Sequence, residues 1–344
     1  MKADKSDKER EININISGIK IISFLIIITL WVLTLWGMWY WTNKNSESHV
    51  EAESAKLYPL LNPRLRNLTI EGRKKVAFST LIPLRDNLLS FLSDNKDNAA
   101  FYIEDLNSGS WVGWEEKTEI IPASLLKIPI AMAIMKKIDD KDWKLDNTLT
   151  IKPEYKDKSF GTLWQVPDDT VNTVDKLLDE MLKNSDNTAT KTLLLNLSSD
   201  EIDNVFNHIG ISSPESSITD ESTEAQYKLT PRNLATLFRS LYNGLYLTRK
   251  SSNHILEKLT QTEFDNLINT KIPREIKVSH KMGAFNDPNT DKYKNYHDCG
   301  ITYSPDHPYL FCFITKNLGA DEAEKSIVGM SGIVYEYFSK INLE

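Results

Sequence analysis

The apolar positions of this chain fall into blocks of different period, and the period of each block predicts an element. Ile21 to Trp41, IISFLIIITLWVLTLWGMWYW, is apolar nearly throughout and carries no charge. At about 1.5 Å per residue, such a run is long enough for a helix to cross the ~30 Å hydrocarbon core of a bilayer. It ends in Trp36, Trp39, Tyr40 and Trp41, side chains that favour the membrane–water boundary. A cleaved signal peptide is the competing reading, although its apolar core is usually shorter and followed by small residues rather than indoles.

Beyond that block the pattern turns irregular and polar up to Arg73, with NPRLRN breaking any helix. The organisation expected is a tail over 1–20, a transmembrane anchor over 21–41, a linker over 42–73 and a globular domain over 74–344. The domain opens with KKVAFSTLIPLRDNLLSFLSDN, a helical pattern interrupted at Pro83. AAFYIEDL and SWVGWEE follow as strands joined by the turn NSG. An apolar helix runs from about Ser124, then come helical periods in VDKLLDEML and TATKTLLLNL. TPRNLATLFRSLYNG is a helix opened by Thr230 and Pro231 and closed by Gly244. EIKVSHKMGA, DCGITYS and YLFCFITK read as strands, and DEAEKSIVGMSGIVYEYF as a closing helix. This order predicts an α+β fold: an antiparallel sheet flanked by helices, plus an all-helical lobe, with a ligand cleft between them.

Composition narrows the possibilities. The 344 residues are 40% hydrophobic and 26% charged, as in an ordinary soluble domain, and the net charge of −7 argues against nucleic acid as a partner. His49, His208, His254, His280, His297 and His307 are scattered, with no HExxH or CxxC, so neither a metal nor another cofactor is expected. Lys2, Lys5, Lys8, Arg10 and Lys20 precede the apolar run, whereas only Lys44 and Lys56 follow it closely. This bias puts the N-terminus in the cytoplasm and the domain outside. Cys299 and Cys312 flank the turn signal PDHP. They face each other across a hairpin as a disulfide, or stay two buried thiols; strand register cannot be read finely enough to choose.

The candidate chemistry begins in EIIPASLLKIPIAMAIM. Residues three apart on a helix share a face, so Ser124 and Lys127 are neighbours if a helix starts there. A serine becomes a nucleophile when a base takes its proton, and a lysine is that base only when its pKa is lowered. The bland alternative is a helix cap and a lysine reaching solvent. Two more pieces alter the balance: Ser185-Asp186-Asn187 at another helix start, and Lys281-Met282-Gly283 on a strand.

In this order, S-x-x-K, S-D-N and K-x-G resemble the motif set of class A β-lactamases and penicillin-binding proteins. The chain is identified as a class A β-lactamase-like serine hydrolase from about Lys74 onward. The resemblance implies that Ser124 is acylated and that Lys127 accepts its proton. It gives Ser185 the relay to the leaving nitrogen, Asn187 a substrate amide, and Lys281 a substrate carboxylate. The oxyanion would sit between the backbone N–H groups of Ser124 and Ala284, beside Gly283.

Two departures qualify that likeness. Class A enzymes deacylate with a glutamate in E-x-x-L-N; here Glu215 opens ESSIT, and Asp220, Glu221 and Glu224 compete with it. Met282 stands where the family has a hydroxyl, and a thioether donates no hydrogen bond. YKDKSFGTLWQVPDDT lines one wall of the cleft with Phe160 and Trp164, or buries them as ordinary core. Three functions stay open: a β-lactam hydrolase, a D-alanyl peptidase or other amide hydrolase, and an inactive domain that binds wall peptide or a partner. The sequence does not fix an oligomeric state.

Overall fold

The computed structural model describes residues 27–41, 58–62, 81–212, 228–264, 267–286, 294–305 and 307–340. The chain divides into two units, Met1–Leu57 and Tyr58–Glu344. In the first, the described residues form α1 (27–41), whose Trp31, Trp36 and Trp39 are exposed. Among the described residues no helix is long and apolar enough to cross a membrane. The tail 1–20 and positions 21–26 of the expected span lie outside the described residues.

The second unit begins on Tyr58–Asn62, inside the expected linker, yet this segment packs on the domain. Leu60 and Leu61 are buried, and the Asn62 N–H donates to the Tyr242 carbonyl at 2.8 Å. Helix α2 (Ile82–Leu92) holds Pro83 in its first turn. The proline costs this helix nothing, because a first-turn N–H has no intrahelical acceptor to lose; positions 74–80 of the expected pattern lie outside the described residues. Strands β1 (Ala99–Asp105) and β2 (Trp111–Trp114) precede α3 (Lys127–Asp139). Short strands β3 (Thr148–Ile151) and β4 (Thr170–Thr173) pair only with each other. TLTI alternates over only four residues and TVNT is mostly polar, too little pattern to announce either strand. Helices α4 (Val174–Lys183), α5 (Asn187–Leu194), α6 (Ser199–His208), α7 (Pro231–Asn243) and α8 (Arg249–Leu259) follow. The chain then returns through β5 (Val278–Asn286), β6 (Lys294–Thr302) and β7 (Tyr309–Thr315) to α9 (Ala320–Lys340).

Helix α7 shows how local the determinants are. Thr230 accepts from the Asn233 N–H while the Asn233 side chain accepts from Thr230, Pro231 occupies the first turn, and Gly244 ends the helix at φ 59°. Each residue does what its type does best at that place.

The five-stranded sheet has the order β2-β1-β7-β6-β5, antiparallel at every pairing. The two strands before the helical stretch and the three after it therefore form one sheet, the α+β arrangement expected. Period-two alternation splits its side chains between two cores. Leu310, Cys312 and Ile314 join the helical lobe around α3, α4 and α7, while Tyr309, Phe311 and Phe313 pack under α2 and α9. Covered on both faces, β7 is buried at every position and reads as an unbroken apolar run.

Cys299 and Cys312 are direct partners in the β6–β7 register and form a disulfide, deciding between the two readings left open. Closing a loop with a separation of 13 constrains the unfolded chain by about 3 kcal/mol. The double substitution Cys299→Ala/Cys312→Ala should lower the unfolding free energy by about that amount in urea titrations.

Candidate active site

Ser124 is not in an α-helical turn. It sits in the 3-10 turn Ala123–Leu126, and Lys127 is the first residue of α3. Pro129 tolerates only a first-turn place, so the α-helix starts just before it. A 3-10 turn repeats every three residues, so the expected pairing of positions 124 and 127 survives the change of helix type. Leu125 and Leu126 anchor the turn in the core, while the Ser124 side chain stays partly exposed.

The side chains separated in sequence meet here. Lys127 Nζ donates to Ser124 Oγ at 3.2 Å, Ser185 Oγ at 3.1 Å, the Ser185 carbonyl at 2.5 Å and Asn187 Oδ1 at 2.7 Å. Lys281 Nζ donates to Ser185 Oγ at 2.9 Å and to the Met282 carbonyl at 3.1 Å. Ser185 Oγ in turn donates to Ser124 Oγ at 3.0 Å. One hydroxyl thus accepts from two amines and passes a hydrogen bond to a second hydroxyl. Lys127 and Lys281 are buried, at 1% and 0% exposure. Burial, then the neighbouring Lys127 ammonium, pushes the Lys281 amine well below the ordinary lysine range, and Asp298 opposes that shift.

Long-range braces hold this cluster. Asp186, next to Ser185, caps α5 by accepting from the Ala189 N–H at 2.8 Å. Its other oxygen accepts from the N–H groups of Thr162 and Leu163 at 2.6 and 2.8 Å, tying down the segment before α5. Gly161 permits this approach: its φ is 92°, and a Cβ there would fall 2.1 Å from the Asp186 carboxylate. Asn187 Nδ2 donates to Ser159 Oγ at 2.8 Å. On the sheet side, His297 Nε2 donates to the Ile121 carbonyl at 3.0 Å, three residues before Ser124. A Cβ on Gly283 would lie 2.9 Å from the Pro122 carbonyl and 3.4 Å from the Ser124 nitrogen. Only glycine lets edge strand β5 come this close, and Ala284 follows on the same strand.

Ser124, Lys127, Ser185, Asn187, Lys281 and Gly283 therefore lie together, with Met282 half-buried on the neighbouring strand position. Glu215 and its competitors Asp220, Glu221 and Glu224 lie outside the described residues. Ser159, His297 and Phe264 were not anticipated. Phe264 packs on Phe160 with ring centroids 5.5 Å apart, so Phe160 stands at the site rather than in the core. The KSFGT turn beside the flagged wall pointed towards Ser159; no local signal marks Phe264 or the partner of His297.

An antiparallel sheet whose edge strand brings a lysine to a serine–lysine pair is the architecture of the β-lactamase and penicillin-binding protein superfamily. The chain belongs to the beta-lactamase enzyme family, whose sequence profile matches residues 83–338. It is 25% identical over 230 residues to Beta-lactamase VEB-1 of Pseudomonas aeruginosa, covering 62% of this chain and 77% of that one. It is 24% identical over 246 residues to a beta-lactamase of Bacteroides uniformis, covering 67% and 83% respectively. The solved structure of PBP-A is similar in fold, with a TM-score of 0.67 at 23% identity over 76% of this chain and 97% of that one.

Two outcomes test this geometry. Gly283→Ala should lower the melting temperature, because the added methyl meets the Pro122 backbone carbonyl and displaces β5 from the Ser124 turn, and any hydrolytic activity of the chain should fall by about tenfold or more. His297 is buried neutral, and burial lowers its pKa from 6.5 to about 4. Across that interval the unfolded chain binds a proton that the folded chain refuses. Stability therefore falls as pH drops through this window, by about 3 kcal/mol in full, and His297→Asn should flatten that part of the pH dependence of urea unfolding.

Proposed function

We propose that this chain is a serine hydrolase working through an acyl-serine intermediate and able to open β-lactams. Residues 21–41 would tether it to a membrane, with the catalytic domain on the extracytoplasmic side. The observation that carries the catalytic reading is the Ser185 hydroxyl, which accepts from Lys127 and Lys281 and donates to Ser124.

In this reading Lys127, acting in its deprotonated form, takes the Ser124 proton as Oγ attacks the substrate carbonyl. The backbone N–H groups of Ser124 and Ala284 receive the oxyanion; each such donor is worth about 3 kcal/mol of transition-state stabilisation. Ser185 then passes a proton to the leaving atom, with Lys281 holding its hydroxyl in line. Asn187, kept in orientation by Lys127 and Ser159, offers its amide N–H to the acyl side chain. Water, activated by Glu215, releases the acyl group. A second reading, an amide hydrolase whose substrate lacks the carboxylate of a β-lactam, is favoured by Met282, which cannot donate a hydrogen bond to that group.

A fluorescent penicillin separates these readings. A covalent label on Ser124 that disappears in Ser124→Ala supports the acyl-serine mechanism; an unlabelled chain of intact fold would rule it out. Fast loss of the label indicates β-lactam hydrolysis, and a lasting label the amide hydrolase. Glu215→Gln should lengthen the label's lifetime; an unchanged lifetime would remove Glu215 from the mechanism.

A further inference from the structure

The side of the site where the leaving group departs is the side of Ser185 and Lys281, and its walls are unlike a carboxylate receptor. Phe264, from the segment after α8, places its ring 5.8 Å from Lys281 Nζ. Phe160, from the loop ahead of α5, meets that ring at 5.5 Å, and its backbone carbonyl accepts from the Asn187 N–H at 3.1 Å. Two aromatic rings from opposite walls therefore join beside the relay. Met282, the next residue of β5, packs on the opposite face, against the core under α2 and α9.

The hydrogen-bond count at Lys281 agrees. Its amine donates to Ser185 Oγ and to the Met282 carbonyl. A neutral amine has two N–H donors, and both are then in use; only the charged form keeps a third. Burial and Lys127 favour the neutral form. Behind the strand, Asp298 is 1% exposed and paired with His280 at 2.9 Å. An incoming carboxylate would lose its own water beside Lys281.

We infer that Phe264 and Phe160 make the leaving-group side an apolar subsite, so that this chain prefers acyl donors whose leaving portion bears no carboxylate, such as neutral esters and amides. The inference rests on the acyl-serine reading and names its substrate class. β-Lactams enter through their reactive amide, and their carboxylate adds little to recognition. Phe264 acts here as a specificity residue, through ring contact with the departing group.

The test uses the full chain and two esters of phenylacetylglycine, the phenyl ester and the 3-carboxyphenyl ester, which differ by one carboxylate. In each, Ser124 Oγ forms the new acyl bond, the ester C–O bond breaks, and the phenol leaves with a proton. The phenol released above the Ser124→Ala background gives kcat/KM for each ester, corrected for its spontaneous hydrolysis. The phenyl ester should exceed the carboxyphenyl ester. Phe264→Ala should shift the ratio towards the carboxyphenyl ester by up to about tenfold, the size of one lost aromatic contact with the departing group. Phe160→Ala, which opens the same subsite from the loop ahead of α5, should move it the same way even if Phe264→Ala does not fold. A preference of the unaltered chain for the carboxyphenyl ester, or a ratio unmoved by a folded variant, overturns the inference and leaves the acyl-serine mechanism standing. Release of neither phenol from a chain that fluorescent penicillin labels at Ser124 overturns this inference alone; with no label either, the mechanism falls with it.

Discussion

Two lysine amines buried against one serine hydroxyl are the constraint on which the rest of this structure depends. Isolated, either amine would seek water, and together they repel; removing both from solvent costs several kcal/mol unless one gives up its proton. Lys281 answers by titrating low, and Lys127 by surrounding its nitrogen with four oxygen acceptors. The same arrangement that is costly for folding leaves a low-titrating amine on Ser185, one hydroxyl away from Ser124. Ala123 and Ser185 carry the local strain, at φ 49° and 55°, values that residues with a side chain rarely adopt.

The fold offsets these costs by gripping the site from three directions. The helical lobe buries Leu125 and Leu126, so the Ser124 turn cannot slide outward. Asp186 binds three backbone N–H groups and so fixes Ser185 to both α5 and the loop holding Phe160. The sheet brings Lys281 in on its edge strand, and β6 and β7, joined by the disulfide, set the height of that edge. His297 connects the sheet to the chain just before Ser124. Apolar layers on both faces of the sheet supply the stability that makes a polar, strained centre tolerable.

Features set within a few residues were legible in the sequence. Thr230, Pro231 and Gly244 marked α7 because cap and breaker chemistry is local, and short apolar runs between turn signals marked β1 and β7. The motif residues Ser124, Lys127, Ser185, Asn187 and Lys281 were found through order and resemblance, not through any contact the sequence could display. The 3-10 turn at Ser124 escaped notice because helix type there follows from Pro129 and from packing. Links such as His297 to Ile121 and Phe264 to Phe160 join positions far apart in the chain, and no period or spacing encodes them. Met282 was visible as a departure, but its packing against the core under α2 and α9 was not.

The most direct test of the buried-amine constraint is a side-chain nitrogen NMR titration of lysine-labelled protein, with the Lys281 signal assigned by substitution. The account requires Lys281 to lose its proton well below the roughly 10.4 of an exposed lysine. Titration of Lys281 together with the exposed lysines would contradict it.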